Sequence, residues 1–533
     1  MEEKINETKP CLVQTAQGFT ISYNQKFLYS KYAPDKAINQ YIQNLKLLPQ
    51  TLILCISPVL NYGLQALADS LPPDCLMLGC EYDENLYDFI CSQEDQFTGK
   101  NYSLLTRDEL LNLGPLLTGR NSTLKSGFTL PQPGTFRRVI RVDFSAGAQF
   151  CSQFYDMLLE NTANAIMTFW ANRVTLVKFG RKYSTNFFKN LIFCAKTGET
   201  VPIQKYFGAI EKQIIVFGAG ESAAQGIALL QKQASEETDL HDKYFIVCAD
   251  TALQPLVTQG IIPDGVFIEE AQNVITKCFI GIQKTDTHIF AGLSSVHSLT
   301  RYFKPEQLSY FTTEYTQAEF IERFEKMGAL PPKNEPFGSV GITAFYYANL
   351  FRKDTSVPIT TYGLDFAYSV GRTHTKGTMA DNARFMNSSR IKPDANFGAA
   401  FNEPAIKRGL MYTTPILERY RQMFEVIKEK ALRQVQGPQK NVLPEPVEGA
   451  RKERLQNITN VLSAEQSALI ELKSLLTGEK TLPPEQQQQE ITRLITEREY
   501  LYLHFPDGHR FVYTQSFLNR VRVEVDYYLK VLS

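Results

Sequence analysis

Several kinds of residue are scarce in this chain. Its 533 residues include one tryptophan, six histidines and nine cysteines. The cysteines form no C-x-x-C pair and show no spacing with histidine that suits a structural metal. This excludes a zinc module and a disulfide framework and leaves reduced, mostly buried thiols. Cys75 and Cys80, the closest pair, fall on a strand-like segment and read as packing. Net charge is also missing: 56 Lys and Arg balance 56 Asp and Glu, so composition gives no reason to invoke nucleic acid or an anionic membrane as partner. No apolar run approaches the roughly 20 residues of a membrane helix. The first seven residues lack the basic-then-apolar layout of a signal peptide. A cytoplasmic protein without a transmembrane segment is expected.

The organising stretch runs from Lys212 to Glu270. Gln213 to Phe217 is a continuous apolar, β-branched run suited to a strand buried on both faces of a parallel sheet. Gly218-Ala219-Gly220-Glu221-Ser222-Ala223 follows and fits G-x-G-x-x-A, the looser form of a phosphate-binding turn. Ala223, Ala224, Ile227 and Leu230 then recur at helical spacing. A second strand, Tyr244 to Ala249, ends at Asp250, where a carboxylate can meet ribose hydroxyls. A lone glycine turn is weak evidence, and Glu221 at the first helical turn argues against tight phosphate binding, because its own carboxylate suits the helix N-terminus.

Further motifs follow in order. Asp250-Thr251-Ala252 precedes Gly260-Ile261-Ile262-Pro263-Asp264 and a strand ending at Glu269-Glu270. Phe337-Gly338-Ser339-Val340 opens a helix. Ile359 to Tyr362 runs into Gly363-Leu364-Asp365-Phe366-Ala367-Tyr368, and then Gly371-Arg372-Thr373-His374. This series resembles the motility accessory factor (Maf) flagellin glycosyltransferases, which share the domain of the 6-hydroxymethylpterin diphosphokinase MptE. It departs from them in three places. Glu221 stands where relatives carry proline, Glu269-Glu270 replaces a Leu-Asp-type ending, and the N-terminal segment Ser57 to Gly63 lacks the early glycines of a phosphate loop.

Strands alternating with helices predict an α/β fold with a central, doubly wound Rossmann-like (sialyltransferase-like) sheet at 197–400. A smaller α/β domain at 1–130 reads as scaffold or acceptor-handling. A helical connector at 131–196 contains Trp170, and a C-terminal helical region at 401–533 has a Pro/Gly-rich insertion near 435–450. In that region Ile406 to Gln434 reads as one amphipathic helix, with Leu410 and Ile416 on its apolar side. The helical end suits a cap, a homo-oligomer contact or an acceptor contact. Ligands in such sheets sit outside the strand carboxyl ends. Gly218, Gly220, Ser222, Asp250, Glu270, Ser294, Ser295, Gly338, Ser339, Asp365 and His374 fall on that edge.

His374 lies in a polar loop with two glycines, and histidine is the usual general base at neutral pH. Asp365 either orients a base or binds sugar hydroxyls, and equally it can cap the next segment. Arg372 and Thr373 suit donor phosphate. The resemblance implies transfer of a nonulosonic acid, such as pseudaminic or legionaminic acid, to Ser/Thr of flagellin. The donor would be a CMP-activated sugar acting as co-substrate, with no further cofactor and no metal. His374 and Asp365 would be catalytic. Gly218, Gly220, Ser222, Asp250, Thr251, Glu270, Ser294, Gly338, Ser339, Arg372 and Thr373 would bind the donor. Diphosphate transfer from ATP to a hydroxymethylpterin is the alternative that the same fold implies, and the departures leave open a non-catalytic homologue that binds flagellin or nucleotide sugar. An NAD-linked oxidoreductase rests on the glycine turn and Asp250 alone and ranks last.

Overall fold

The computed structural model describes the chain apart from residues 1–8, 95–96, 120–121, 132–133, 198–200, 236–238, 283–284, 317, 394–395, 403 and 434–446. The chain divides into two compact units, Met1–Lys178 with Phe505–Arg510, and Phe179–His504 with Phe511–Ser533.

The first unit is built on four parallel strands, β1 (Thr51–Ile56), β2 (Leu76–Cys80), β3 (Tyr102–Leu105) and β4 (Arg138–Asp143), in the order β3-β2-β1-β4. Residues of β1 and β2 are buried throughout, as their unbroken apolar runs require when both faces of a parallel sheet are covered. The boundary expected at 130 falls inside this unit. β4 pairs with β1 along its full length, Thr51 with Arg138 through to Ile56 with Asp143. As an edge strand it carries charges that a central strand would not tolerate, which gives it the look of a connector. Helix α1 (Ser152–Thr197) follows as 46 continuous residues. Trp170 donates its indole N–H to the Phe136 carbonyl at 2.8 Å.

The second unit holds the larger sheet: β5 (Gln213–Phe217), helix α2 (Ala223–Ala234), β6 (Tyr244–Ala249), β7 (Gly265–Ile268), β8 (His288–Gly292), β9 (Leu308–Thr313), β10 (Lys333–Asn334), helix α3 (Val340–Phe351) and β11 (Ile359–Tyr362). All seven strands are parallel, in the order β10-β9-β8-β7-β6-β5-β11. This is the doubly wound α/β arrangement. Successive strands step outward from β5 in one direction, and the chain then returns to add β11 on the other side. The crevice of a doubly wound sheet opens where that direction reverses, here between the carboxyl ends of β5 and β11.

Apolar nearly all round, α3 is buried along most of its length. Its Tyr347 and Phe351 pack with Phe267, Phe290 and Phe311 from three adjacent strands. Offset stacking of Phe267 on Phe290, with centroids 4.7 Å apart, shows how the aromatic content fills this layer.

The C-terminal part of the unit includes the longer helices α4 (Pro415–Arg433), α5 (Val447–Thr477), α6 (Pro484–Thr496) and α7 (Gln515–Leu532). Residues 406–413, expected as the start of a helix, instead form an antiparallel hairpin, Ile406–Arg408 against Met411–Thr413. Gly409 takes a φ of 60° at its turn, and α4 begins only at Pro415, whose missing N–H costs nothing in a first helical turn. Leu410 is therefore 92% exposed rather than on an apolar stripe. Most of the Pro/Gly-rich insertion lies outside the described residues. Among the described residues, no helix is long and apolar enough to cross a membrane.

Candidate functional site

The turn after β5 is closed by the loop after β11. Gly218 N donates to the Tyr362 carbonyl at 2.7 Å and Gly220 N to the Gly363 carbonyl at 2.8 Å. Ser222 N donates to Asp365 Oδ2 at 2.9 Å, and Gly363 N donates to Ser222 Oγ at 2.7 Å. This interlock accounts for the glycines. A Cβ on Gly363, whose φ is +72°, would lie 2.6 Å from the Gly218 carbonyl carbon, and one on Gly220 would lie 3.0 Å from the Asp365 carboxyl carbon. The close approach is thus between two stretches of this chain's own backbone. A phosphate can take the Ser222 amide only by displacing the Asp365 carboxylate, which already sits where a helix N-terminus favours negative charge.

Glu221 also has a partner, since its Oε1 accepts from Ser369 N at 2.6 Å. Together with Thr375 N donating to the Ala219 carbonyl at 2.9 Å, this bond lays the 369–375 segment along the glycine turn. His374 is thereby held beside the switch point. It is half-buried, with Nδ1 3.1 Å from Thr373 Oγ1. Burial pulls its imidazole below the ordinary histidine value, Arg384 acts in the same sense, and Asp381 opposes them. The neutral ring, the form a general base needs, is favoured. Arg372 is exposed, and its backbone N–H donates to the Ser369 carbonyl at 3.2 Å.

At the end of β6, Asp250 is 3% exposed. Its Oδ1 accepts from the backbone N–H and hydroxyl of Thr251, at 2.6 and 2.9 Å, while Oδ2 is buried without a hydrogen-bond partner. Burial pushes this carboxyl up to about 7, with the charges of Glu270 and Glu269 adding to the rise against the two Thr251 bonds.

Just past β7, the neighbouring Glu269 and Glu270 have different partners. Glu270 Oε1 accepts from Gln272 N at 2.8 Å. Glu269 instead accepts from Thr343 Oγ1 on α3 at 2.7 Å and from Thr313 Oγ1 at the end of β9. Burial raises its carboxyl, and those two hydroxyl bonds partly offset the rise. Sequence reasoning selected Glu270 and passed over Glu269 and Thr343. A hydroxyl in the first turn of an otherwise apolar helix was the available signal.

Asn186 and Asn190, in the second-unit part of α1, were also missed. Asn186 Nδ2 donates to the Ala271 and Ser294 carbonyls, both at 3.2 Å. Asn190 Nδ2 reaches the Leu293 and Ser295 carbonyls at 2.8 and 3.1 Å. Ser294 is thus tied to α1 through its carbonyl, and Ser295 Oγ is buried without a hydrogen-bond partner. Gly338, with φ +76°, lies against the Tyr420 ring, and Ser339 is the N-cap of α3. Gly341, one turn along, abuts Leu364 of the β11 loop. The structure therefore gathers Gly218, Gly220, Ser222, Asp365 and the 369–375 loop at the switch point. It places Asp250, Thr251, Glu270 and Ser294 on successive strand ends alongside. Among the described residues, no group of three or more His, Cys, Asp or Glu side chains is arranged to hold a metal ion.

Comparison with known proteins agrees with this fold. Residues 185–371 match the family model described as 6-hydroxymethylpterin diphosphokinase MptE-like. An uncharacterised protein of Treponema pallidum (strain Nichols) is 29% identical over 570 residues, spanning 98% of this chain and 95% of its own. The solved structure of a Maf glycosyltransferase from Magnetospirillum magneticum AMB-1 superposes with a TM-score of 0.52 at 10% identity, covering 99% of this chain and 92% of its own. The chain thus carries an MptE-like domain at residues 185–371 within a fold shared along nearly its whole length with a Maf glycosyltransferase.

Proposed function

We propose that this protein is a glycosyltransferase that moves a nonulosonic acid from a CMP-activated donor to Ser/Thr hydroxyls of flagellin. The observation that carries the reading is the whole-length likeness to a glycosyltransferase, 99% of one chain against 92% of the other. A compact pterin diphosphokinase would not require the long segments that flank the 185–371 domain on both sides. In the proposed step the acceptor hydroxyl attacks the anomeric carbon of the donor. The bond from that carbon to the CMP phosphate oxygen breaks, and the hydroxyl proton passes to neutral His374. Asp365 and Ser222 fix the turn against which the donor phosphate rests, Arg372 and Thr373 bind that phosphate, and Asp250 and Thr251 face the ribose. The second reading, diphosphate transfer from ATP, is favoured by the family description over 185–371.

A ligand that binds only the native state raises the melting temperature, so parallel thermal titrations with CMP, CDP, UDP, ATP and NAD separate the readings. A shift selective for CMP is expected. His374→Ala should keep that shift and lose transfer to flagellin from a CMP-nonulosonate. An ATP-selective shift would replace this reading with the diphosphokinase, and no shift with any nucleotide would replace it with a non-catalytic binder.

A further inference from the structure

The first unit has a switch point of its own, which the function proposed above does not use. Its sheet order, β3-β2-β1-β4, reverses between β1 and β4. Beside that reversal, at the carboxyl end of β4, a cleft of about 560 Å³ opens, lined among others by Tyr29, Ser30, Tyr41, Arg141, Asp143 and Ser145; Ser145 Oγ donates to Ser57 Oγ, just past β1, at 3.1 Å. Such a volume suits a small ligand, and the carboxyl end of strands at a reversal is where doubly wound sheets bind one.

Chemistry narrows the class of ligand. Arg141 is the cationic residue of the lining, and it is already engaged. Its Nε and Nη2 donate to Asp143 Oδ1 and Oδ2 at 2.6 and 3.0 Å, and its Nη1 donates to Asp156 Oδ1 at 2.6 Å. Two carboxylates on one guanidinium leave the local charge negative, so an anion is disfavoured. The loop after β1 offers no cradle for phosphate either: the Ser57 amide donates to the Cys80 carbonyl at 2.9 Å, and Pro58 has no N–H.

What remains at the cleft suits a neutral polyol. Asp143 has half-exposed carboxylate oxygens with acceptor capacity left over, and the outer guanidinium hydrogens of Arg141 are donors beside them. Tyr41, 51% exposed, supplies an aromatic face. A carboxylate and a guanidinium side by side match the paired hydroxyls of a sugar, and an aromatic ring matches its C–H face.

We infer that the cleft at the carboxyl end of β4 in the first unit binds a neutral saccharide of one or two residues, held by Asp143, Arg141 and Tyr41. The test uses the full-length protein in calorimetric and saturation-transfer NMR titrations. The panel contains methyl glucoside, methyl galactoside, N-acetylglucosamine, N-acetylgalactosamine and maltose, with N-acetylneuraminic acid and inorganic phosphate as anionic contrasts. At least one neutral sugar should bind. Tyr41→Ala, an exposed change that leaves the melting temperature in place, should weaken it about tenfold, the scale of one aromatic contact. Asp143→Asn should weaken it to a similar degree. The inference is overturned if no neutral sugar binds, if both variants bind as the parent does, or if N-acetylneuraminic acid or phosphate displaces the sugar. CMP binding at the second unit is read separately and bears on neither result.

Discussion

Replacing Gly363 by alanine tests whether the glycine turn is an interlock of the chain with itself. Two costs add. The first is conformational, since Gly363 has φ +72°, and an alanine there costs about 1 kcal/mol. The second is steric. The new Cβ would lie 2.6 Å from the Gly218 carbonyl carbon, and that obstacle is backbone that cannot rotate away. Relieving the overlap separates the two loops and strains the bonds from Gly218 N to Tyr362 O and from Gly220 N to Gly363 O, at 2.7 and 2.8 Å. Overpacking costs about 1–3 kcal/mol and each of the two weakened bonds about 1, so with the conformational cost Gly363→Ala should cost roughly 4–6 kcal/mol in all. Gly260→Ala is the control. Its φ is +77°, with nothing within 4 Å of an added Cβ, so it should cost only the first term, about 1 kcal/mol. Urea unfolding combined with hydrogen exchange on peptides covering 213–224 and 359–368 reads both effects, and exchange should accelerate in those peptides for Gly363→Ala alone. Equal destabilisation by the two variants would refute the interlock.

Other outcomes follow from the same structure. Asp250, raised to about 7 from an ordinary 3.8, resists ionisation when folded, so its penalty is absent below pH 3.8, grows as pH rises and is complete above pH 7. Asp250→Asn should therefore stabilise the protein by up to about 4 kcal/mol at pH 8 and by little near pH 4; denaturant midpoints that differ equally at both pH values would contradict this. Glu465, 2% exposed, pairs with Arg323 and with Arg498 at 3.1 Å and accepts from the Tyr500 hydroxyl at 2.8 Å. Glu465→Ala strands buried arginine charge and should cost about 3–5 kcal/mol, whereas a near-neutral result in urea unfolding would show that water enters the site.

Legibility from sequence followed burial. Gln213 to Phe217 and Tyr244 to Ala249 were readable to the residue because both faces of those strands are covered, and a short, continuous, β-branched apolar run before a glycine or an aspartate suits little but a buried strand. β4 was not. Its Arg138 and Arg141 belong to an edge, where alternating charge resembles a connector. Ile406 and Leu410 share helical spacing by coincidence, and the turn at Gly409 overrides it. Asp365 was found by its position at a strand end, but its partner, the Ser222 amide, lies 143 residues away, a distance no local pattern spans. The same holds for Glu221 and Ser369 N, 148 residues apart. In each case the residue type and place could be read, and the partner could not.

The pairing of β11 with β5 also sets a timetable for synthesis. Ile359 pairs with Ile214, so the two strands leave the ribosome 145 positions apart. At about 5–20 residues per second, β5 waits roughly 7–30 s for its outer neighbour. Throughout that interval it is an apolar strand with one unpaired edge, the kind that other chains can pair with. The Gly218 turn is equally unfinished, because the carbonyls of Tyr362 and Gly363 and the carboxylate of Asp365 have yet to arrive. A nascent chain stalled before residue 359 has already made six strands of the large sheet and still lacks its switch point.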